Sequence, residues 1–468
     1  MQLKLYNTET RKKEEIVPSD NDKIRIYTCG PTIYDYAHIG NFRTYIFEDL
    51  LRRTLEFFDF EVLQVMNITD IDDKTIKGAL KKHQSLIEYT EPYRQAFFED
   101  ITSLNVEKAE YYPKATQYTA QMIEIIKNLI AKNYAYKGSD GSIYFSIEKF
   151  KKYGRLSHLD LASLKQNAQN RINSDEYEKE NASDFVLWKS YDEKRDGNIF
   201  WESPFGKGRP GWHIECSAMA IKLLGPTIDI HCGGVDNVFP HHENEIAQSE
   251  SFTGKVFVLH WAHSEHLIVD GKKMSKSLGN FYTLRDLLKM GYTGREVRYM
   301  LISSHYRTQL NFTFDGLKAS KNSIQRILDF LSRVNNADSK NALDISEKIS
   351  NTKDIFTSSL ADDLNISQAL ASIFDFIRDV NHLIDDDKIS KESSNEIYKL
   401  FQEIDKILGC IFINEEETIP AKVLEAFEKR IEARKNKNFF LADELRDFIY
   451  SSGYVIEDNP SGPRLKKK

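Results

Sequence analysis

The sequence predicts an α/β chain built on a doubly wound parallel sheet, and three observations predict it. First, Lys23-Ile24-Arg25-Ile26-Tyr27-Thr28 alternates like a strand and is broken by Cys29-Gly30-Pro31. From Asn41 to Phe58 apolar residues then recur at helical spacing, and Glu61 to Met66 reads as a second strand. Strand, helix and strand in succession form a βαβ unit, which requires parallel pairing. Second, Thr227–His231 and Lys255–His260 are strand candidates around a helix from about Pro240 to Ser251. The two halves complete one sheet, with its ligand crevice at the carboxyl ends of the strands. Third, from about residue 315 the pattern changes to amphipathic helices. Ile324, Ile327, Leu328, Phe330 and Leu331 form one stripe, and Ile366, Leu370, Ile373, Phe374 and Ile377 another.

The connecting elements follow. Residues from about 95 to 205 form a long insertion between the sheet halves, with helical patterns and aromatic clusters. The polar stretch Asn335–Ala342 and the acidic Asp385–Asp387 with Ser390–Ser394 read as inter-helix loops. The last fifty residues or so hold a basic helix, roughly Ala421–Asn438, then a second helix and a strand-like end at Tyr454-Val455-Ile456.

Bulk composition narrows the class. A chain of 468 residues with 41% hydrophobic content has room for about three globular domains. The net charge is −7, so a nucleic-acid partner needs local basic patches rather than a uniformly basic surface. No apolar run approaches the roughly 20 residues that span a bilayer. The N-terminus, Met1-Gln2-Leu3-Lys4-Leu5-Tyr6, does not read as a signal peptide. The four cysteines, Cys29, Cys216, Cys232 and Cys410, are too sparse for a disulfide framework. They fit a reducing cytoplasm in which cysteines serve as ligands.

Three short stretches carry chemistry. Tyr34-Asp35-Tyr36-Ala37-His38-Ile39-Gly40-Asn41 lies where a strand and loop give way to a helix. A helix start offers unpaired N–H groups to an anion, and a glycine there admits a phosphate close to the backbone. Taken alone, His38 reads more readily as a surface or capping residue. Lys273-Met274-Ser275-Lys276-Ser277 lies between Gly271 and Gly279, and its two lysines can neutralise a departing pyrophosphate. Its plain reading is a solvated lysine loop. Gly211-Trp212-His213-Ile214-Glu215-Cys216 joins Cys29 and Pro240-His241-His242-Glu243-Asn244-Glu245 in supplying metal-type donors. On a helix, His241 and Glu245 are four apart and share a face, while His242 and Glu245 are three apart and nearly do so. Spacing leaves both histidines open, and isolated buried cysteines are the ordinary reading of Cys29 and Cys216. The block Asn67-Ile68-Thr69-Asp70-Ile71-Asp72-Asp73-Lys74 reads as a magnesium cluster or, preferably, as a polar loop and helix start.

Together, in this order, these stretches resemble class I aminoacyl-tRNA synthetases. The first is similar to their HIGH signature and the third matches their KMSKS signature in full. With the metal-type donors, the resemblance narrows to the cysteinyl-tRNA synthetase family and covers most of the chain. It implies a Rossmann-like catalytic domain over residues 1–310 with a connective insertion at about 95–205. A stem-contact and helical bundle domain (311–415) and a C-terminal anticodon-binding region (416–468) follow. It implies His38, Lys273 and Lys276 as catalytic residues, with Gly40, Asn41, Gly234 and Asp236 also at the nucleotide. Asn41 departs from the signature, which often has a second histidine there. It implies Gly30, Thr69, Trp212 and His231 around the substrate, and Cys29, Cys216, His241 and Glu245 as ligands of one Zn2+. Cys232, where the family often has glycine, is taken as a packing residue.

The activity implied is ligation of L-cysteine to tRNA(Cys), with ATP and Mg2+, by a cytoplasmic monomer. A metal suits the substrate. Cysteine differs from serine by one atom, which a pocket judging size discriminates poorly. A thiol ionises near pKa 8.5 and a nearby metal lowers that readily, whereas an alcohol resists. No editing domain is then needed. By the resemblance, the helical region near Asp362-Asp363-Leu364-Asn365 and the C-terminal end hold the tRNA body and anticodon, with Lys429, Arg430, Arg434, Lys435 and Lys437 as a phosphate-contacting face. For each of these basic residues a solvated helix face is an equal reading. Two rivals remain: a cysteine-activating ligase that transfers to an amino-sugar, and an inactive paralogue that only binds tRNA. A dehydrogenase is poorly supported, because no GxGxxG follows the first strand.

Overall fold

The computed structural model describes residues 2–19, 23–159, 184–412, 421–435, 438–459 and 462–467. The chain divides into two compact units, Met1–Phe412 and Ile413–Lys468.

In the first unit, Lys4–Asn7 (β1) and Lys12–Glu15 (β2) form a hairpin. The central sheet follows: Lys23–Thr28 (β3), Glu61–Met66 (β4), Ile228–Gly234 (later β9) and Val258–Ser264 (later β10). Its order is β10-β9-β3-β4, and every pair is parallel. The first two strands run as the alternation predicts. The other two lie further on than Thr227–His231 and Lys255–His260, because their burial on both faces removes the alternation that marks a strand end. Ile39–Phe57 (α1) packs across the sheet, with Ile39, Phe42, Ile46, Phe47, Leu50, Leu51 and Leu55 buried.

Asp73–Lys82 (α2) and Leu86–Ser103 (α3) follow β4. The Asp72 carboxylate caps α2 by accepting from the backbone N–H groups of Lys74 and Thr75. Asp70 accepts from Thr116, and Asp73 pairs with Lys189 and Arg209. The three carboxylates are dispersed over structural tasks, as a loop and helix start require.

Beyond helix Thr119–Ala131 (α4), the insertion contains an antiparallel sheet that periodicity does not reveal. Ala135–Lys137 (β5), Ile143–Phe145 (β6), Phe185–Ser190 (β7) and Gly208–Pro210 (β8) pair in that order. Three of its strands have only three residues, too few for a period of two to register. The sheet also reaches past 205. Residues 160–183 lie outside the described residues.

The helix expected from Pro240 starts later. Val238–His242 is an irregular turn with non-helical φ/ψ at Phe239, and regular helix runs over Glu243–Thr253. Four helices, Phe314–Asn335, Ser346–Ala361, Ile366–Asp385 and Lys391–Leu408, form the bundle. One apolar core runs without interruption from Leu3 through the sheet to Ile411. Asp363 is fully buried there and accepts from Tyr6 N–H, the Tyr306 hydroxyl and Arg307. It is a packing hub, while Asp362 beside it is exposed and pairs with Lys13.

The second unit holds Ala421–Lys435, Phe439–Ser451 and a hairpin of Tyr454–Asn459 with Gly462–Lys467. Val423, Ala426, Ile449 and Tyr454 form its core. The expected basic face is only partly present. Lys429 pairs with Glu425, and Arg430 is buried rather than presented. The Lys435 side chain and Lys437 lie outside the described residues.

Candidate active site and metal centre

A cleft of about 560 Å³ opens where the central strands end. Its wall includes Cys29 and Gly30 after β3, His38, Gly40 and Asn41 at the start of α1, Gly234 at the end of β9 with Asp236 just after it, and Lys273. Gly30 has no room for a side chain: a Cβ there would lie 1.9 Å from the Asn67 carbonyl oxygen. Its N–H donates to Asn67 Oδ1 at 3.0 Å, and Asn67 donates on to Thr69 Oγ1 at 3.1 Å.

His38 is the N-cap of α1. Its Nδ1 accepts from Asn41 N–H at 3.2 Å, and Asn41 Oδ1 accepts from His38 N–H at 3.1 Å. This reciprocal box satisfies donors that a helix start otherwise leaves orphaned. It also gives Asn41 a structural task that the signature comparison does not reveal. Burial pushes His38 down to about 4, so its imidazole is neutral at physiological pH. With Nδ1 accepting, the proton of the neutral ring sits on Nε2.

The lysine loop hangs from a small sheet. Leu267–Val269 (β11) pairs antiparallel with Lys272–Lys273 (β12) and parallel with Leu310–Phe312 (β13). Asn280 pins the loop, accepting from Ser275 N–H at 2.9 Å and donating to the Lys273 carbonyl at 3.2 Å. The two lysines are treated differently. Lys273 lines the cleft, whereas Lys276 forms an ion pair with Asp35 and lies 5.0 Å from the Phe281 ring centroid. Phe281 in turn packs edge-on against His38 at 5.2 Å.

The metal-type donors converge around Cys29. Two overlapping sets have ligand atoms all within 4.8 Å of one another: Cys29, Cys216, His241 and Glu245, or Cys29, His231, His242 and Glu245. Helix Trp212–Leu224 brings Cys216, the turn leading into helix Glu243–Thr253 brings His241, and the first turn of that helix brings Glu245. Three features fit a metal in the first set. Glu245 Oε1 is buried and makes no hydrogen bond, yet lies 3.0 Å from His241 Nε2. Cys29 donating to Cys216, with His241 adding its charge, holds the Cys216 thiol at about 6 despite its burial. Burial raises Glu245, but His231 and His241 outweigh it and hold the carboxyl at about 2. Two anionic donors at neutral pH suit a divalent cation.

An outer layer of histidines surrounds these donors. His213 Nδ1 lies 3.0 Å from His241 Nδ1, and His242 Nδ1 lies 2.8 Å from His263 Nε2. His231 is fully buried against Glu245 Oε2 at 3.2 Å and stacks on Trp261. It does not line the cleft. Trp212 stacks on His241 with ring centroids 4.1 Å apart. His213, His263 and Asp35 are the residues that motif reading passes over. His213 lies inside a quoted motif but carries no spacing signal, and His263 reaches the group only through sheet pairing. Cys232 is buried, with burial raising its thiol, and its carbonyl accepts from Cys29 N–H.

A mononucleotide-type crevice carrying a HIGH-like helix start and a KMSKS hairpin defines a class I aminoacyl-tRNA synthetase. Residues 15–322 match the family described as tRNA synthetases class I (C) catalytic domain, and residues 355–412 match the DALR domain. In fold the chain is similar to methionyl-tRNA synthetase of Mycobacterium tuberculosis in complex with methionyl-adenylate. The TM-score is 0.59 at 13% identity, covering 82% of this chain and 89% of that one. Over its full length the chain is 59% identical to cysteine–tRNA ligase of Protochlamydia amoebophila, covering 98% of it. It is 54% identical to that of Chlamydia pneumoniae, with 99% and 98% covered. The chain belongs to the cysteine–tRNA ligase family.

Proposed function

We propose that this chain joins L-cysteine to tRNA(Cys) in two ATP-dependent steps. In the first, a cysteine carboxylate oxygen attacks the α-phosphorus of ATP, the bond to the β-phosphate oxygen breaks, and pyrophosphate leaves. The nucleophile is already an anion, so no protein base is required. Catalysis is positioning and charge stabilisation. Neutral His38 donates from Nε2 to an α-phosphate oxygen as charge builds there. Lys273, already on the cleft wall, neutralises the departing pyrophosphate. Lys276 joins it once it leaves Asp35, and because both partners are partly exposed that exchange costs about 1 kcal/mol or less. Gly40, Gly234 and Asp236 frame the nucleotide, and Mg2+ arrives with ATP as part of the substrate. In the second step the 3′-terminal ribose hydroxyl of tRNA attacks the cysteinyl carbonyl carbon, and AMP leaves.

Cys29, Cys216, His241 and Glu245 would hold a zinc ion beside the substrate side chain. Bound there, zinc supplies a soft Lewis acid that favours a thiolate over an alcohol. Trp212 positions His241 by stacking, His231 holds Glu245, and Gly30 and Thr69 shape the floor of the amino-acid pocket. The helical bundle contacts the tRNA stem, and the second unit the anticodon. The chain acts as a monomer in the cytoplasm. Among the described residues, no helix is long and apolar enough to cross a membrane.

The observation that carries this reading is the meeting of both halves at Cys29. It lines the same cleft as His38 and Lys273, and it belongs to the buried donor set. The test is ATP–pyrophosphate exchange driven by cysteine, with serine as the comparison, followed by addition of tRNA. Cysteine-specific exchange and then charging are expected. Exchange without charging would favour transfer to a small amine, and absence of exchange in zinc-replete protein would overturn the reading.

A further inference from the structure

The second step imposes a geometric requirement. The terminal ribose must reach the adenylate, so the unpaired nucleotides before it must cross the rim of the cleft. Their phosphates need cations, and a chain of net charge −7 does not supply them by its overall field.

One rim element stands apart in charge. Past its first residue Asp73, which pairs with Lys189 and Arg209, the segment Lys74 to Ser85 carries four lysines and a histidine and no acidic residue. Lys74, Lys77 and Lys81 are spaced at i, i+3 and i+7, so they lie on one face of α2 and span roughly 10 Å. All three are exposed, and Lys77 and Lys81 make no ion pair among the described residues. The stripe begins beside the amino-acid pocket: Lys74 and Trp212 line a common cleft of about 190 Å³, and Trp212 stacks on His241. Aromatic rings flank it. Lys74 lies 4.9 Å from the Tyr34 ring centroid, and Lys82 lies 5.1 Å from that of Tyr89. Tyr36, edge-on to Tyr93, is half exposed on the same loop as His38. Tyr89 is buried and Tyr34 half-buried, so the lysines supply charge for the phosphates while the exposed ring of Tyr36 is the face open to a base, the two features single-stranded nucleic acid binds.

We propose that the lysine face of α2 (Lys74, Lys77 and Lys81) is the surface over which the unpaired 3′ end of tRNA enters the cleft. The inference rests on the chain being a tRNA ligase and adds where that substrate is held. Lys77 and Lys81 contact phosphates of the incoming strand, and Lys74 serves the nucleotide nearest the pocket. None of them takes part in adenylate formation.

The experiment compares the full-length parent with the double variant Lys77→Ala/Lys81→Ala, leaving Lys74 intact because it adjoins the pocket. Cysteine-driven ATP–pyrophosphate exchange without tRNA should be unchanged, which also shows that the variant folds. KM for tRNA in charging should rise roughly tenfold near 0.15 M salt, the effect of two lost single-strand phosphate contacts. The slope of log affinity against log salt should become less negative by about 1.4. The Lys77→Arg/Lys81→Arg variant should restore both. An unchanged KM overturns the proposal. So does an equal rise in the exposed control pair Lys151→Ala/Lys152→Ala, which would indicate unspecific attraction. A parallel fall in exchange and charging also overturns it, by placing the lysines in the chemistry of the cleft. If the parent exchanges but does not charge, the functional reading itself fails. Direct binding of tRNA to parent and double variant then still decides whether α2 holds RNA.

Discussion

The two halves of the site are built to opposite physical specifications. At the metal-type donors, Cys216, His241 and Glu245 are at most 1% exposed, and a second ring of histidines holds them from behind. On the lysine loop, Lys276 has 64% of its side chain exposed and sits on a hairpin pinned mainly by Asn280. The difference follows from what each half must do. Telling sulfur from oxygen requires donors fixed in a dry place, where each interaction is strong and cannot relax. Admitting ATP and releasing pyrophosphate requires cations that exchange partners at small cost, which only partly solvated pairs do.

The largest effect should come from the buried half. Cys216→Ser should abolish stoichiometric zinc and cysteine-driven exchange together. The loss should exceed the roughly 10–100-fold that removing an outer-layer partner costs in metal affinity. Metal analysis of the purified protein beside the exchange assay checks it, and full activity in a zinc-free variant would dissolve the contrast. Lys273→Ala should lower exchange by roughly 10²–10³-fold, the usual cost of one transition-state donor, with zinc content unchanged. Zinc loss in that variant would mean that the halves are not separable.

Burial also leaves a mark on stability. His260 on β10 is pushed down to about 4 by burial, as His38 is, while an unfolded histidine titrates near 6.5. Because the folded value lies below the unfolded one, the unfolded chain binds more protons between pH 6.5 and 4. Stability should therefore fall as pH drops through that window, by on the order of 3 kcal/mol for His260 alone. Urea melts at pH 7 and pH 4.5 on the parent and on His260→Gln measure this, and the variant should show the shallower slope. The smallest effect belongs to the exposed half. Asp35→Asn removes the resting partner of Lys276 and should lower KM for ATP by about fivefold at most, the limit for a surface ion pair. A large change would show that the pair is more than a resting contact.

Much of this was legible in the chain because it is local. Strand β3, helix α1 and strand β4 follow from short-range alternation and helical spacing, and His38, Lys273 and Lys276 sit in contiguous motifs whose order is informative. What escaped did so for identifiable reasons. The β5–β8 sheet has strands too short to show a period. Arg430 belongs to a run of basic residues, yet a helix turns successive residues to different faces, and this one is buried. Asn41 looked like a weakened second histidine, and only the geometry of the helix start makes it half of a capping box with His38.

By itself, then, the sequence determined the class of sheet, the two signature motifs and the residue types available to a metal. Only the tertiary structure decided how those donors meet. Cys29 follows the end of β3, Cys216 lies on a helix 187 positions later in the chain, and His241 and Glu245 come from a third segment. Spacing along a chain constrains neighbours on one helix or strand, whereas parallel crossovers bring together strand ends whose separation in sequence carries no distance information. The same holds for His213 behind His241, for Asp35 under Lys276, and for the lysine face of α2 beside Trp212. Each is a contact between elements, set by how the elements pack.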